Sequence, residues 1–194
     1  MSSTKAPRKA RQESFATYIK KIGKHVSKGD MGFSAESVNT LNTITYDLLK
    51  KIASEAQRLC VSSKRETLNE REIEKAATTI LTGDMGEKAP AVIASVHAKW
   101  DAAGKSVRSQ SARAGLILPI GRLTRMLKKG SYASRIGKHA GLALGAVLEQ
   151  TLTDFCEAAL TVLKKDKKKR LMPRHIQMVL EQEPIFAQLF QQQE

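Results

Sequence analysis

Apolar residues recur along the chain at spacings of three and four, in stretches that are separated by short polar loops. Residues at these spacings share one face of a helix, so each stretch predicts an amphipathic α-helix. In the first half, the predicted helices run from Glu13 to about Val26, from just after Ser34 to about Ser62, from Asn69 to Gly83, and from about Ala89 to Ala102.

The second half repeats this scheme of a short, a long and a short helix. The helices predicted there lie between Pro119 and Gly130, from about His139 to Lys164, from Pro173 to about Leu180, and from Pro184 to Phe190. We accordingly divide the chain into a basic N-terminal arm (1–12), a first helical unit (13–103), a linker (104–112) and a second helical unit (113–194).

Residues that favour helix ends define several of these boundaries. Ser34 is typical of an N-cap, because its hydroxyl can accept a hydrogen bond from a backbone N–H of the first turn. Asn69 and Glu72 have the spacing of a capping box. Pro119 suits the first position of a helix, and Gly130 suits its C-cap.

The two long helices determine the predicted architecture. A helix of about 27 residues is a rod roughly 40 Å long, and two short flanking helices cannot cover the apolar stripe along it. A second rod must lie across it, and the other half of the chain supplies one. The pattern therefore predicts an all-α protein whose two halves fold as one intertwined unit.

The composition indicates a polyanionic partner. The chain has 33 Lys and Arg against 19 Asp and Glu, a net charge of +14, with +5 in residues 1–103 and +9 in residues 104–194. Aromatic residues make up only 5%, which disfavours recognition of single strands by base stacking. No apolar run approaches the ~18 residues of a membrane span, so we expect no membrane partner.

The sequence does not favour an enzyme. Gly137-Lys138 faintly resembles a phosphate-binding loop, but Tyr132 and His139 stand where that motif requires Gly and Ser or Thr. We therefore expect no catalytic residue and no cofactor.

Histidines and cysteines do not indicate a metal site. The four histidines are scattered in sequence and form no metal-ligand spacing with either cysteine. Cys60 and Cys156 are too few for a disulfide framework, which favours a reducing, intracellular compartment, and both are predicted to be small core residues. His175 is expected to be a helix-surface or interface residue rather than a general base.

Short sequence motifs carry a family resemblance in both halves. In the first half they are Arg11–Phe15, Ile52–Leu59, Lys64–Thr67 and Arg71–Ile73, and in the second half Ser111–Leu116, Pro119–Leu123, Lys129–Ala133, Ala146–Glu149 and Pro173–Gln177. With these motifs, residues 13–102 resemble histone 2B and residues 111–190 resemble histone 2A. A fused pair in this order is similar to the histone doublets of giant DNA viruses.

The resemblance implies two tandem histone folds that pair in a handshake within one chain. It further implies a nucleosome-like particle that wraps double-stranded DNA without sequence specificity. The expected partners are histone 3- and histone 4-like proteins or a matching viral doublet, with two copies of this chain per particle. The expected location is the host nucleus or a cytoplasmic viral factory, and the virion.

The resemblance also implies the residues that contact DNA. Minor-groove insertion, which histones perform with arginine, is assigned to Arg65, Arg135 and Arg170, and an arm role to Arg11. Phosphate contacts are assigned to Ser34, Lys64, Thr67, Arg113, Arg122, Arg125, Lys128, Lys129, Lys168 and Lys169. Glu36 and Glu66 depart from the family pattern and are expected to weaken phosphate contact.

A partner-docking acidic patch is only partly matched. The matching residues are Asp84, Glu149, Asp154, Glu157 and Glu183. The alternative is that these carboxylates form a solvated helix face. For the whole chain, the alternative function is a histone-fold subunit of a transcription or assembly complex with little DNA wrapping. The basic run 164–170 can also be interpreted as a nuclear-import signal.

Overall fold

The computed structural model of the protein describes residues 13–104 and 109–190. The first half contains α1 (Ala16–Val26), α2 (Ala35–Ser62), α3 (Glu70–Ile80) and α4 (Asp84–Ala102). The second half contains α5 (Gln110–Ala114), α6 (Ile120–Lys129), α7 (Ala140–Lys165), α8 (Pro173–Gln182) and α9 (Pro184–Phe190). The predicted helical architecture is confirmed. The predicted arm and residues 105–108 of the predicted linker lie outside the described residues.

Helix ends form largely through the side chains that the sequence indicates. The Ser34 hydroxyl accepts a hydrogen bond from the Ser37 backbone N–H at 3.1 Å and caps α2. Asn69 and Glu72 form the expected capping box of α3, in which Glu72 Oε2 accepts from the Asn69 backbone N–H at 3.0 Å. Gly130 is the C-cap of α6.

Several predicted boundaries are wrong. α4 begins at Asp84 rather than near Ala89, because Gly83, at a φ of 64°, turns the chain from α3 directly into α4. The helix continues through Pro90, which cannot donate a hydrogen bond to the carbonyl four residues earlier. Pro119 is the N-cap of α6 and not its first helical residue.

Three further boundaries differ from the prediction. α1 begins at Ala16 rather than Glu13, and α3 ends at Ile80, before Gly83. α5 begins inside the predicted linker, where the Ser109 hydroxyl accepts a hydrogen bond from the Ala112 backbone N–H at 3.1 Å. This five-residue helix has too few residues to show an apolar period, so the pattern could not reveal it.

Two pairs of two-residue strands join the halves of the chain. β1 (Gly32–Phe33) pairs in parallel with β4 (Arg170–Leu171), and β2 (Thr67–Leu68) pairs in parallel with β3 (Arg135–Ile136). Each pair takes one strand from each half. The loop before a long helix in one half is therefore hydrogen-bonded to the loop after the long helix of the other half.

α7 is the central helix of the fold. Sixteen of its 26 residues are buried, and it packs against α1, α2, α3 and α4 of the first half as well as α6 and α8 of its own half. Leu41 and Leu48 of α2 meet Leu148 and Leu152 of α7 around a gap of only about 10 Å³. In the described part of the chain, no helix is both long and apolar enough to cross a membrane.

Two glycines let α6 approach α7 closely. A Cβ atom at Gly141 would lie 2.1 Å from Thr124 Oγ1 and 3.2 Å from Thr124 Cβ, and one at Gly145 would lie 3.1 Å from Leu123 Cδ1. A side chain at Gly141 would therefore push α6 off the central helix.

The internal repeat extends to the ends of the helices. Lys28, Lys64, Ser131 and Lys167 have φ between 52° and 53°, and each lies two residues after the last residue of α1, α2, α6 or α7. These four helices, two from each half, thus end in the same left-handed turn. This common geometry accompanies little sequence identity between the halves.

The prediction for His175 is wrong, whereas the prediction that both cysteines are small core residues is confirmed. His175 is fully buried. Its Nδ1 accepts a hydrogen bond from the Met172 backbone N–H at 3.0 Å, and its Nε2 lies 3.4 Å from Asp166 Oδ2. It therefore caps α8 from inside. Cys60 and Cys156 are buried free thiols, and burial raises the pKa of Cys156 to about 12.

Replacing Leu148 by Asp tests whether the halves share one core. Leu148 is 1% exposed at the contact with α2, so a carboxylate there is expected to lower the free energy of unfolding by roughly 3–5 kcal/mol. We expect amide hydrogen exchange to increase in both halves together, as measured by mass spectrometry.

Val61→Asp is the matched control, because Val61 also lies on a long helix but is 72% exposed. It is expected to change the free energy of unfolding by less than about 1 kcal/mol. Amide protection that survives in the first half of the Leu148→Asp variant would contradict a shared core.

Candidate nucleic-acid interface

The first loop pair consists of residues 30–34 and 167–171, which β1 and β4 hold together. The Gly32 backbone N–H donates to Lys169 O at 2.8 Å, and the Ser34 N–H donates to Leu171 O at 3.0 Å. The side chains of Lys168, Lys169 and Arg170 are exposed on this pair. The structure thus brings three of the predicted cations together with Ser34.

Ser34 and Lys169 already have partners within the protein. The Ser34 hydroxyl contacts both the backbone N–H and the hydroxyl of Ser37, and the residue is 8% exposed. Lys169 Nζ lies 3.4 Å from Asp30 Oδ1, but both side chains are largely exposed. Exposed ion pairs contribute little energy, so Lys169 remains available to a phosphate.

The second loop pair consists of residues 64–69 and 135–139, which β2 and β3 hold together. The Arg135 backbone N–H donates to Glu66 O at 3.1 Å. Arg65 Nη1 lies 3.1 Å from Glu72 Oε1, and the Glu72 side chain is 7% exposed while that of Arg65 is 49% exposed. Glu72, the carboxylate of the α3 capping box, therefore also orients Arg65, a role that the sequence did not indicate.

The third candidate site lies where α1 and α6 begin. Arg122 Nη1 donates to the Ser14 carbonyl, and Arg125 Nη1 lies 2.7 Å from Glu13 Oε1. The Arg122 guanidinium also lies 5.4 Å from the Tyr18 ring centroid. Glu13 was not predicted at this site, and it partly neutralises both arginines.

Each loop pair also brings two helix N-termini together. α2 and α8 begin at the first pair, and α3 and α7 begin at the second. A helix N-terminus attracts anions, because its first N–H groups have no partner within the helix. Acidic side chains in the first turn oppose this attraction in two of the helices: Glu36 in α2, and Glu70 and Glu72 in α3. The first turns of α7 and α8 contain no acidic residue.

The remaining predicted DNA contacts lie in varied environments. Lys64, Lys128 and Lys129 are exposed, Thr67 is half-buried, and Arg11 lies outside the described residues. These placements leave their DNA roles as predictions.

Arg113 has an internal role. Its guanidinium lies 4.3 Å from the Trp100 ring centroid, and its Nε donates to Trp100 O at 2.7 Å. This contact fastens α5 to the end of α4, and a phosphate would have to compete with it.

The predicted acidic patch is divided between inner and outer carboxylates. Glu149 Oε2 accepts hydrogen bonds from the backbone N–H groups of Ile117 and Leu118 at 2.7 and 2.8 Å, and burial raises its pKa. Asp154 accepts from Gln150 Nε2 at 2.7 Å, and burial raises its pKa too.

The other three carboxylates face solvent. Asp84, Glu157 and Glu183 are exposed, and Asp84 forms a 3.8 Å ion pair with Lys88. Partner docking on these carboxylates stays a prediction.

Two of the four histidines are not scattered in space. His97 of α4 and His139, the N-cap of α7, both approach Glu70 of α3. The centroids of the two imidazole rings are 5.0 Å apart. The two histidines are 42 positions apart in the sequence, so no local spacing could have indicated this cluster.

The fold and the paired cationic loops define a histone-type protein. Residues 2–79 and 98–182 match the family model that describes the core domain of histones 2A, 2B, 3 and 4. The chain belongs to the core histone family.

Individual relatives cover part of the chain. It is 48% identical to histone 2A-III of Volvox carteri and 46% identical to histone 2A of Chlamydomonas reinhardtii, in each case over 82 residues, which are 42% of this chain and 64% of the relative. The chain thus spans just under two thirds of the length of these curated relatives.

A solved structure shows the same fold. The histone from Methanopyrus kandleri superposes with a TM-score of 0.58 over 87% of this chain and 93% of that chain, at 13% sequence identity. This similarity concerns the fold alone.

Glu149 variants test whether its carboxylate holds the segment before α6. Glu149→Ala leaves two backbone N–H groups without their acceptor and is expected to lower the free energy of unfolding by about 1–3 kcal/mol. Glu149→Gln retains an acceptor oxygen and is expected to lower the free energy of unfolding by a smaller amount.

The same variants test how the stability of the protein depends on pH. Because burial raises the pKa of Glu149 in the folded state, ionisation opposes folding, and the wild type loses stability as the pH rises through that pKa. Urea unfolding between about pH 4 and 7 should show this loss in the wild type relative to Glu149→Gln. Identical unfolding midpoints for all three proteins would contradict the role of the carboxylate.

Proposed function

We propose that this protein packages double-stranded DNA as a fused pair of histone folds that bends the duplex without reading its sequence. The core histone family is structural rather than enzymatic, and we assign no catalytic residue or cofactor. Sequence preference is expected to arise only from the deformability of the DNA.

The observation that carries the proposal is the pairing of loops across the two halves. Each pair presents exposed arginine beside two helix N-termini: Arg170 in the first, Arg65 and Arg135 in the second. A DNA backbone requires cations and N–H donors at positions that follow its phosphates. Arginine can also enter the minor groove where this faces the protein.

Orientation of the arginines strengthens this argument. The buried Glu72 fixes one edge of the Arg65 guanidinium and leaves about half of the side chain exposed. Backbone pairing with Glu66 fixes the main chain of Arg135, from which its exposed side chain extends. A side chain that is already positioned loses less conformational entropy when it binds.

The finer parts of the proposal derive from the resemblance described above. We propose that residues 13–103 are a histone 2B-like fold and residues 113–194 a histone 2A-like fold, as in the doublets of giant DNA viruses. Two copies would then assemble with histone 3- and histone 4-like proteins or a matching doublet. The host nucleus or a viral factory, and the virion, would contain the particle.

Removing the three loop arginines tests the DNA contacts. Each phosphate contact contributes about −0.9 to the slope of log K against log salt concentration. The variant with Arg65→Ala, Arg135→Ala and Arg170→Ala is therefore expected to have a slope shallower by up to about 2.7 in fluorescence-anisotropy titrations of duplex DNA. Its circular dichroism spectrum should match that of the wild type, because Arg135 and Arg170 are exposed and Glu72 keeps its capping hydrogen bond from Asn69 when Arg65 is replaced.

The matched control removes the same charge from the bodies of helices, with Lys50→Ala, Arg58→Ala and Lys75→Ala. These exposed residues lie on α2 and α3, away from the loop pairs, and we expect a smaller change of slope. Equal changes in both variants would contradict the assigned sites. A wild-type slope of only about one or two would favour the alternative of a scaffold subunit.

Reconstitution on long DNA tests packaging itself. We expect the chain, mixed with histone 3 and histone 4, to protect DNA fragments of discrete length from micrococcal nuclease. The loop-arginine variant should give less protection, while the helix-body control should protect as the wild type does. A wild-type digest without discrete fragments would count against a nucleosome-like particle.

A further inference from the structure

Glu70, His97 and His139 converge at the junction of the two halves. His97 Nε2 lies 3.0 Å from Glu70 Oε2, and His139 Nδ1 lies 3.5 Å from the same oxygen. One ligand atom from each of the three residues lies within 4.8 Å of the others. Glu70 is the first residue of α3, and His139 is both the N-cap residue of α7 and the last residue of the second loop pair, so the cluster adjoins that loop pair.

These distances suit a single transition-metal ion. Ligand atoms that surround Zn²⁺ tetrahedrally at about 2.0–2.2 Å are roughly 3.3 Å apart. The distances from Glu70 Oε2 to His97 Nε2 (3.0 Å) and to His139 Nδ1 (3.5 Å) lie on either side of this value. Two imidazoles and one carboxylate, with a water molecule as the fourth ligand, form a donor set that borderline divalent ions prefer.

The polar atoms of the cluster lack adequate hydrogen bonds. Glu70 Oε2 and His97 Nε2 are shielded from solvent and have no hydrogen-bond partner of acceptable geometry among the described residues, and His139 presents its Nδ1 to the same carboxylate oxygen at 3.5 Å. The 3.0 Å contact between His97 and Glu70 is therefore close but poorly directed. Burying unpaired polar atoms costs free energy, and a metal ion that accepts their lone pairs would remove this cost.

We propose that Glu70, His97 and His139 form a binding site for one divalent ion of the zinc class, which links the two halves of the protein. Glu70 and His97 belong to the first half, and His139 belongs to the second. The bound ion fixes the start of α3 to the start of α7. It thereby holds the backbone of the second loop pair, which carries Arg65 and Arg135.

The chain's single tryptophan provides a direct readout. The Trp100 ring centroid lies 6.0 Å from that of His139. Titration of Zn²⁺ into the tag-free full chain should change Trp100 fluorescence and saturate at one ion per chain. Competition with a chromogenic chelator then gives the dissociation constant. Co²⁺ should give the visible absorption bands of a low-symmetry, four-coordinate site.

His97→Gln and His139→Gln each remove one ligand, and each should weaken Zn²⁺ binding roughly tenfold or more. Zn²⁺ should raise the unfolding midpoint of the wild type and, at the same concentration, of His25→Gln, since His25 is an exposed histidine outside the cluster. The same addition should raise the midpoints of the two cluster variants less.

Three results would overturn the proposal. They are the absence of saturable binding of one Zn²⁺ per wild-type chain, equal affinity in His97→Gln and the wild type, and a Trp100 response to pH but not to Zn²⁺. The last result would identify the cluster as a protonated histidine–carboxylate contact. Because the Co²⁺ spectrum and the stoichiometry are measured on the wild type, the test does not depend on the variants folding.

Discussion

The burial of α7 by both halves is the constraint on which the rest of the structure depends. Every residue from Ala140 to Leu148 is buried, so the first part of this helix has no face that could remain in water. Its own half supplies only α6 and α8 as major neighbours, and α1 to α4 of the first half cover the rest. Apolar burial therefore places the loops of one half beside those of the other, and the short strands pair as a consequence.

The sequence predicts elements whose signals are local. The hydroxyl of Ser34, the Asn69–Glu72 pair and Gly130 act within a turn of their own helix, and each forms the predicted cap. The apolar stripes of the two long helices likewise revealed that neither half is complete alone. Such features depend on neighbours in sequence, which the pattern contains.

Features that depend on tertiary proximity could not be predicted in this way. Glu13 meets Arg122 and Arg125 only because α1 and α6 begin side by side. His97 approaches His139 only because α4 packs on α7. Glu149 shows the converse case. It was predicted for a surface patch, but its carboxylate accepts hydrogen bonds from backbone N–H groups of a segment more than 30 positions away.

The electrostatics of the candidate interface differ between the two halves. In the first half, acidic side chains lie in the first turns of α2 and α3, and Asp30 faces Lys169. In the second half, α7 and α8 begin without acidic residues, and this half carries the larger share of the net charge. The second half thus offers the stronger attraction to phosphate, while the first half contributes the carboxylate that orients Arg65.

The continuity of the chain between α4 and α5 has a consequence for assembly. Two separate polypeptides that share a core associate by mass action, so dilution separates them. Here the two halves are tethered, and each encounters the other at an effective concentration fixed by the tether rather than by the amount of protein synthesised. Folding becomes unimolecular, the ratio of the halves is always one to one, and a competing subunit must outcompete that effective concentration to displace either half.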